Sequence, residues 1–345
     1  MRVAGRNPPS RWSWSTAFGA RRMVSPSSVA RPAVVMVPGS LARARARQQA
    51  ESGYPSAMAD RSPLIVAAAT PLTGGGEGLD EGAIWPMVSF LVERGADGIF
   101  ACGTTGEGIL LSGEERRRAA VIFRAALHGD LIVHCGAQTT AETVALAAHA
   151  AEIGADAVAV IPPPYFPLDV PALSAHLLAA AAACGPLPFY IYCFTARSGY
   201  PVPIEVIELV RQGASNLAGL KVSESPFERV APYLELGLPV FVGSEPLIPP
   251  AMARGAHGAV SGLAAAFPEV VRAALDTPSA GAEATLGDLR AAMEAQPFIA
   301  SVKHVLARRG LPVREEMRAP MRPLSPDESA RLDAALARLD VEVAA

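Results

Sequence analysis

The amino-acid sequence predicts an α/β protein, a (β/α)8 TIM barrel with a C-terminal helical extension. From residue 64 onward, eight short apolar runs alternate with amphipathic stretches. Apolar strands that alternate with helices are typical of a parallel sheet covered by helices. Eight such units within about 200 residues fit a closed barrel better than an open, doubly wound sheet.

The predicted strands and helices can be placed one by one. In the stretch 80–94, Ile84, Val88 and Leu91 recur at helical spacing. Three similar segments, which begin at 94, 153 and 254, each put a glycine where a helix ends and a strand begins, so the same unit repeats. The predicted strands are 64–69, 97–102, 131–135, 156–161, 188–193, 217–222, 239–243 and 258–262.

Capping signals and a change of pattern set the limits of the barrel. Ser112 with Glu115, and Thr139 with Glu142, predict capping boxes at the starts of two helices. We assign residues 61–282 to the barrel. Residues 283–345 contain two helical patterns, at 285–309 and 326–341, and we expect them to form a helical region appended to the barrel.

The first 60 residues are expected to lie outside the fold, as a disordered or mis-called N-terminal extension. They carry nine arginines against two acidic residues and show no clear periodicity. A composition rich in Arg and Ser fits an organelle-targeting presequence. It also fits an upstream extension read from an incorrect start, and the Ala, Arg, Gly and Pro bias of the whole chain favours this second interpretation.

Composition excludes several classes of protein. A net charge of −3 gives no basic excess for nucleic acid, and no apolar stretch approaches the roughly 18 to 20 residues that cross a bilayer. The four cysteines show no CxxC spacing, and the six histidines form no pair at metal-ligand spacing, so neither a disulfide framework nor a metal site is predicted. The absence of GxSxG and GxGxxG disfavours serine hydrolases and dinucleotide binding.

Lysine usage points to one candidate nucleophile. Among 30 Lys and Arg residues the chain has two lysines, Lys221 and Lys303. A guanidinium does not deprotonate, so these two are the side-chain amines that can become neutral. Lys221 lies within the apolar sixth strand, where burial lowers the pKa of an amine and favours Schiff-base chemistry. A snorkelling or ion-paired lysine is the alternative interpretation.

Polar residues follow other strands at the end of the barrel where active sites form. After the second strand, the turn 103–107 reads GTTGE, and its backbone N–H groups and Thr hydroxyls can bind a carboxylate. An ordinary strand-to-helix turn is equally compatible with this motif. In the fifth strand, Tyr190 and Tyr192 share one face, so one of them can act as an acid or base inside the barrel, or both can serve packing alone.

The order and spacing of five motifs resemble the dihydrodipicolinate synthase and N-acetylneuraminate lyase family of pyruvate-dependent class I aldolases. The motifs are Ala69-Thr70-Pro71, GTTGE at 103–107, the segment 192–199, Gly219-Leu220-Lys221 and GAVSG at 258–262. The resemblance covers about residues 63–325. It implies a cytoplasmic Schiff-base lyase, assembled as a homotetramer or homodimer, that acts on pyruvate and an aldehyde with no cofactor beyond the imine on its lysine.

The resemblance also implies residue roles. Lys221 would form the imine, Tyr192 with Thr104 would move protons, and Tyr165 would reach into a neighbouring subunit's site to complete the relay. Arg197 matches the synthase arginine that meets the carboxylate of L-aspartate semialdehyde, which favours 4-hydroxy-tetrahydrodipicolinate synthase-type condensation. The implied substrate-binding residues are Gly103, Thr105, Arg197 and Val260.

Other residues leave the second substrate open. The segment Cys193-Phe194-Thr195 departs from the synthase pattern, Pro164 replaces a usual tyrosine, and Phe189-Tyr190 is similar to the lyase branch. The alternatives are an aldolase or dehydratase of a sugar-derived 2-keto acid, or a non-catalytic keto-acid sensor. The presence of Lys221, Tyr192 and Thr104 argues against a sensor, since a binding site does not need an amine with a proton relay.

Overall fold

Eight parallel strands close into a barrel, which confirms the predicted fold class. The computed structural model describes residues 61–339 and 341, so the predicted extension at 1–60 lies outside the described residues. A separate antiparallel pair, β2 with β3, follows the first barrel strand. The strands are β1 (Leu64–Ala67), β2 (Leu72–Thr73), β3 (Gly78–Leu79), β4 (Gly98–Ala101), β5 (Asp130–His134), β6 (Ala157–Val160), β7 (Phe189–Cys193), β8 (Leu217–Val222), β9 (Val240–Val242) and β10 (Gly258–Ser261).

The barrel strands neighbour one another in chain order, and β1 closes the ring by pairing with both β4 and β10. Each of the eight predicted runs overlaps one of these strands, and their ends differ by at most two residues. In the register of β7 with β8, Tyr192 lies opposite Lys221. The two candidate catalytic side chains are therefore neighbours across a strand pair.

Helices follow most of the barrel strands, as the alternating pattern predicts. The turn glycines Gly95, Gly154 and Gly255 all adopt a positive φ, which suits a residue that ends a helix. No helix in the described part of the chain is both long and apolar enough to cross a membrane. The helices are α1 (Glu81–Glu93), α2 (Gly113–Ala126), α3 (Thr140–Glu152), α4 (Val170–Cys184), α5 (Thr195–Ser198), α6 (Ile204–Gly213), α7 (Phe227–Leu234), α8 (Ile248–Met252), α9 (Pro268–Asp276), α10 (Ala280–Glu294), α11 (Phe298–Arg308) and α12 (Pro326–Arg338).

The predicted capping box forms in full at the first of the two helices and by one of its two bonds at the second. Ser112 and Glu115 make both bonds of a capping box at α2, and the Thr139 hydroxyl accepts a bond from the Glu142 backbone N–H at α3. The single helix predicted over 285–309 is wrong, because α10 ends before Pro297 and α11 begins after it. Proline lacks the backbone N–H that a continuous helix needs at this point, so it becomes the N-cap residue of α11.

Apolar side chains fill two separate cores. One lies between the outer face of the barrel and the surrounding helices. The other lies inside the barrel and includes Phe100, Tyr192, Phe241 and Val260. Since Lys221 pairs with Tyr192 and Phe241 in the register, its side chain belongs with this inner set.

Candidate active site

Lys221 is a buried amine inside the barrel. Its side chain lies on β8, and the residue is 5% exposed. Its Nζ atom is 3.9 Å from the centre of the Tyr192 ring and 4.1 Å from the centre of the Phe100 ring. No acidic residue of the described chain forms a salt bridge with it. Two aromatic faces thus take the place that water or a carboxylate has around most lysines.

This environment changes the proton affinity of the amine. Burial lowers the pKa of Lys221 below the ordinary lysine value, while the Tyr192 phenol and the Glu245 carboxylate act in the opposite direction. A lower pKa increases the fraction of neutral amine near neutral pH. The neutral amine is the form that attacks a carbonyl carbon.

The Tyr192 hydroxyl faces the hydroxyl of Thr104. Tyr192 Oη and Thr104 Oγ1 are 3.4 Å apart, and either can act as the donor. The Tyr192 ring is held by edge-on contacts with Phe100 and His134, each with a centroid distance of 5.9 Å. The two hydroxyls beside the Lys221 amine can therefore exchange a proton once they approach to ordinary hydrogen-bond distance.

The turn 103–107, which we name the cradle turn, presents unused donors. The backbone N–H groups of Thr104 and Thr105 donate to no acceptor in the described residues. The turn is closed by a bond from Glu107 N to Thr104 O at 3.1 Å, and Thr70 Oγ1 donates to Gly106 O at 2.7 Å. Preorganised N–H groups of this kind suit a small carboxylate. The Thr70 bond also gives a structural role to the Ala69-Thr70-Pro71 motif after β1.

Two further predicted substrate-binding residues lie beside this cluster. Val260 is 2% exposed and packs inside the barrel with Phe100 and Tyr192. A Cβ atom on Gly103 would lie 2.6 Å from an atom of the Phe100 ring, so glycine lets the cradle turn approach that ring closely. The structure brings these positions together with Lys221, and their roles in binding stay predictions.

Arg197 lies on the short helix α5, which follows β7 at the same end of the barrel. Its guanidinium is 5.7 Å from the centre of the Phe194 ring, and the described residues supply no acidic partner for it. The start of α5 is anchored by Glu224, whose Oε1 accepts bonds from Thr195 N at 2.8 Å and Thr195 Oγ1 at 2.9 Å. Arg197 therefore has a fixed support and a charge available to an anion.

Tyr165 does not join the Lys221 cluster within one chain. It is 82% exposed, has a φ of 85°, and packs edge-on against Phe166. The role implied for it requires a neighbouring subunit, so that role stays a prediction.

The structure adds His134, which the sequence reasoning missed. Its ring lies at the end of β5 against Tyr192, and its Nδ1 is 3.1 Å from the Cys102 carbonyl oxygen. A carbonyl only accepts, so Nδ1 carries a proton. Burial, with Arg116 and Lys221, lowers the pKa of His134 well below its usual value, and the ring is neutral. The inward alternation from Ile132 to His134 was the available signal.

Glu245 is a second buried group that the sequence reasoning missed. It follows β9, and its Oε1 accepts bonds from Ser261 Oγ and Leu263 N while its Oε2 pairs with Arg290. Its donors come from the protein itself, so it organises the turns after β9 and β10. The described residues contain no group of three or more His, Cys, Asp or Glu side chains placed to hold a metal ion.

Comparison with known proteins gives consistent matches. The family model described as the dihydrodipicolinate synthetase family matches residues 60–339. An uncharacterised DapA-like lyase of Halobacterium salinarum is 34% identical over 76% of this chain and 89% of its own. A 4-hydroxy-tetrahydrodipicolinate synthase of Chlorobium phaeovibrioides is 31% identical over 76% of this chain and 92% of its own. The solved N-acetylneuraminate lyase of Proteus mirabilis is 28% identical, with a TM-score of 0.73 over 81% of this chain and 98% of its own.

Proposed function

This chain belongs to the dihydrodipicolinate synthetase family of lyases, and on that premise we propose that Lys221 forms an imine with pyruvate and couples it to an aldehyde. One observation carries the proposal. The Lys221 amine is buried, has no acidic partner among the described residues, and lies against the phenol that contacts Thr104. No external cofactor is needed, because a protonated imine itself withdraws electrons from the neighbouring carbon.

The chemistry follows from this geometry. The neutral Lys221 amine attacks the ketone carbon of pyruvate, and the carbinolamine oxygen leaves as water after it takes up a proton through Tyr192 and Thr104. The resulting iminium acidifies the methyl group, which loses a proton to give an enamine. The enamine carbon forms a bond to the aldehyde carbon, and the aldehyde oxygen takes up a proton. Water then hydrolyses the product imine and restores the amine.

For the second substrate, we propose L-aspartate semialdehyde and a 4-hydroxy-tetrahydrodipicolinate synthase-type condensation. Arg197 supports this choice, since its guanidinium lies on a fixed helix at the mouth and has no acidic partner in the described chain. The proposal includes a cytoplasmic homodimer or homotetramer, in which Tyr165 would meet a neighbouring site, and it involves no nucleic acid or membrane.

A second candidate is an aldolase or dehydratase that acts on a sugar-derived 2-keto acid. Phe189-Tyr190 supports it, because this pair is similar to the lyase branch. The segment Cys193-Phe194-Thr195 at the mouth departs from the synthase pattern, and the Phe194 ring packs beside Tyr192 with 5.9 Å between ring centres. Similarity to the N-acetylneuraminate lyase of Proteus mirabilis is consistent with this candidate.

Substrate assays separate the two candidates. The purified chain is given pyruvate with L-aspartate semialdehyde, and in parallel N-acetylneuraminate or 2-keto-3-deoxygluconate with detection of released pyruvate. We expect condensation with the semialdehyde to be the faster reaction. Faster release of pyruvate from either sugar acid would favour the second candidate. Binding of pyruvate with no turnover of any pair would indicate a sensor.

Arg197→Leu tests the residue behind the substrate choice. Loss of a charge-assisted bond worth about 1.5–3 kcal/mol predicts a rise of roughly 10- to 150-fold in KM for the semialdehyde. Borohydride trapping of the pyruvate imine should stay at the wild-type level, since Arg197 lies outside the Lys221 cluster. An unchanged KM would remove Arg197 from the proposed site.

A further inference from the structure

The second lysine of the chain joins the C-terminal helical region to the cradle turn. Lys303 on α11 places Nζ 2.5 Å from Glu107 Oε1, and both side chains are 0% exposed. The same Nζ donates to the Glu316 carbonyl oxygen at 2.7 Å. The other carboxylate oxygen of Glu107 accepts a bond from Arg318 N at 2.8 Å. Two points of the C-terminal region therefore hold one carboxylate of the cradle turn.

Glu107 needs such support because its backbone conformation is unfavourable. Its φ is 54°, in the left-handed region that a residue with a side chain adopts at a cost of about 1–3 kcal/mol. In this conformation its N–H closes the turn onto Thr104 O. The contacts of the Glu107 carboxylate thus fix the last residue of the cradle turn. The N–H groups of Thr104 and Thr105, which precede it in the turn, are the proposed donors to the substrate carboxylate.

The first residue of helix α11 also lies near the turn, close to Thr105. A Cβ atom on Gly262 would lie 2.9 Å from Thr105 Oγ1 and 3.3 Å from Phe298 Cε1. The Thr105 hydroxyl and the Phe298 ring therefore lie on the same side of Gly262, where the absence of a side chain lets both approach. Phe298 therefore lies near the middle of the cradle turn, while Lys303 binds the last residue of that turn.

Energetics favour a geometric role for the pair over a stabilising one. Removing two charges from water offsets most of their attraction, so a buried ion pair rarely stabilises a fold more than an apolar pair of similar volume. What the pair supplies is a fixed distance and direction between α11 and the turn. The hydrogen bonds that its two charged groups make act on the cradle turn or on the segment 316–318 beside it.

We infer that Lys303 is a positioning residue for pyruvate: through Glu107 it holds the Thr104 and Thr105 N–H groups in the geometry that binds the substrate carboxylate. This inference rests on the proposed function, since it assumes that the cradle turn binds pyruvate. It assigns the C-terminal helical region a part in the active site, although Lys303 and Glu107 are 196 positions apart along the chain.

The informative variant is the double change Glu107→Gln/Lys303→Met, which removes both charges together and so leaves neither one buried alone. The pyruvate concentration that half-saturates borohydride trapping is measured together with the trapping rate at saturation and the thermal midpoint. We expect the half-saturating concentration to rise about tenfold, as the loss of a charge-assisted contact implies. The rate at saturation should fall much less, because Lys221 and Tyr192 are unchanged.

A matched control uses another ion pair at the end of the same helix. Arg309 pairs with Glu269 at 2.6 Å, and neither residue contacts the cradle turn. The double change Arg309→Met/Glu269→Gln should shift the thermal midpoint and leave the half-saturating pyruvate concentration within twofold of wild type. This control separates a general loosening of α11 from a specific effect on the turn.

Three results would contradict the inference. One is a folded Glu107→Gln/Lys303→Met protein whose half-saturating pyruvate concentration is within twofold of wild type. Another is an equal rise in the control pair. The third is a wild-type protein that traps no pyruvate, in which case both the proposed function and the inference fail. Trapping in wild type with an unaffected variant refutes the inference alone.

Discussion

The two lysines of this chain are both buried, yet their surroundings differ. Lys221 is 5% exposed and faces the rings of Phe100 and Tyr192. Lys303 is 0% exposed and lies 2.5 Å from a carboxylate oxygen of Glu107. Burial lowers the pKa of both amines, and for Lys303 the Glu107 carboxylate is the main opposing influence. The partner, rather than burial itself, decides which amine is available to attack a carbonyl and which one holds a neighbouring turn.

The largest expected effect comes from breaking the Lys303 pair on one side. Lys303→Met leaves the Glu107 carboxylate buried without its partner, which costs about 3–5 kcal/mol of unfolding free energy. Urea denaturation followed by circular dichroism measures this loss. A variant as stable as wild type would show that Glu107 finds another partner, and the contrast between the two lysines would lose its basis.

Tyr192→Phe sharpens the comparison from the Lys221 side. The ring and its packing stay, while the hydroxyl that faces Thr104 at 3.4 Å is lost. We expect turnover to fall about 100-fold or more, equivalent to roughly 2.7 kcal/mol, which is typical for the loss of an acid–base group. Steady-state assays with saturating pyruvate measure the change. Turnover within a few-fold of wild type would remove Tyr192 from the proton path.

The smallest expected effect has the opposite sign to that at Lys303. Lys221→Met removes a buried amine that has no ionic partner in the part of the chain that the structure describes. Unfolding free energy at neutral pH should therefore rise by about 1 kcal/mol, as is common for active-site residues that destabilise a fold. Because the folded pKa of Lys221 lies below its ordinary value of 10.5, the unfolded chain binds the proton more tightly. The destabilisation is complete below the folded pKa and disappears as pH rises towards 10.5.

Denaturation of Lys221→Met and wild type across this pH range tests the sign. The stability difference should be largest near neutral pH and should shrink at alkaline pH. A variant that is less stable than wild type at pH 7 would show that Lys221 has a stabilising partner, in conflict with its aromatic surroundings.

Much of the fold was predictable because periodicity is a local property of the chain. The eight apolar runs and the glycine turns at Gly95, Gly154 and Gly255 required no knowledge of distant contacts. Pro297 was a signal for a break between α10 and α11. The helical apolar pattern continues on both sides of it, however, and this favoured one long helix. Strand order could be inferred as well, since parallel strands joined by helices close most simply in chain order.

The site was predictable only in part. Lys221 stood out because the chain has only two lysines and this one lies in an apolar strand, and the family resemblance singled out Tyr192. The strand register then placed them side by side. The partners of Glu107 could not be inferred, since Lys303 is 196 positions away and no local pattern links the two. The orientation of His134 and the ion pair between Glu245 and Arg290 likewise depend on tertiary packing.

The most direct test of the central claim is to reduce the protein with borohydride in the presence of pyruvate and to map the modified lysine by peptide mass spectrometry. Wild type should carry the adduct on Lys221 and none on Lys303, and Lys221→Arg, which keeps the charge but cannot form an imine, should carry none. An adduct on Lys303, or no adduct on wild type at any pyruvate concentration, would contradict the account.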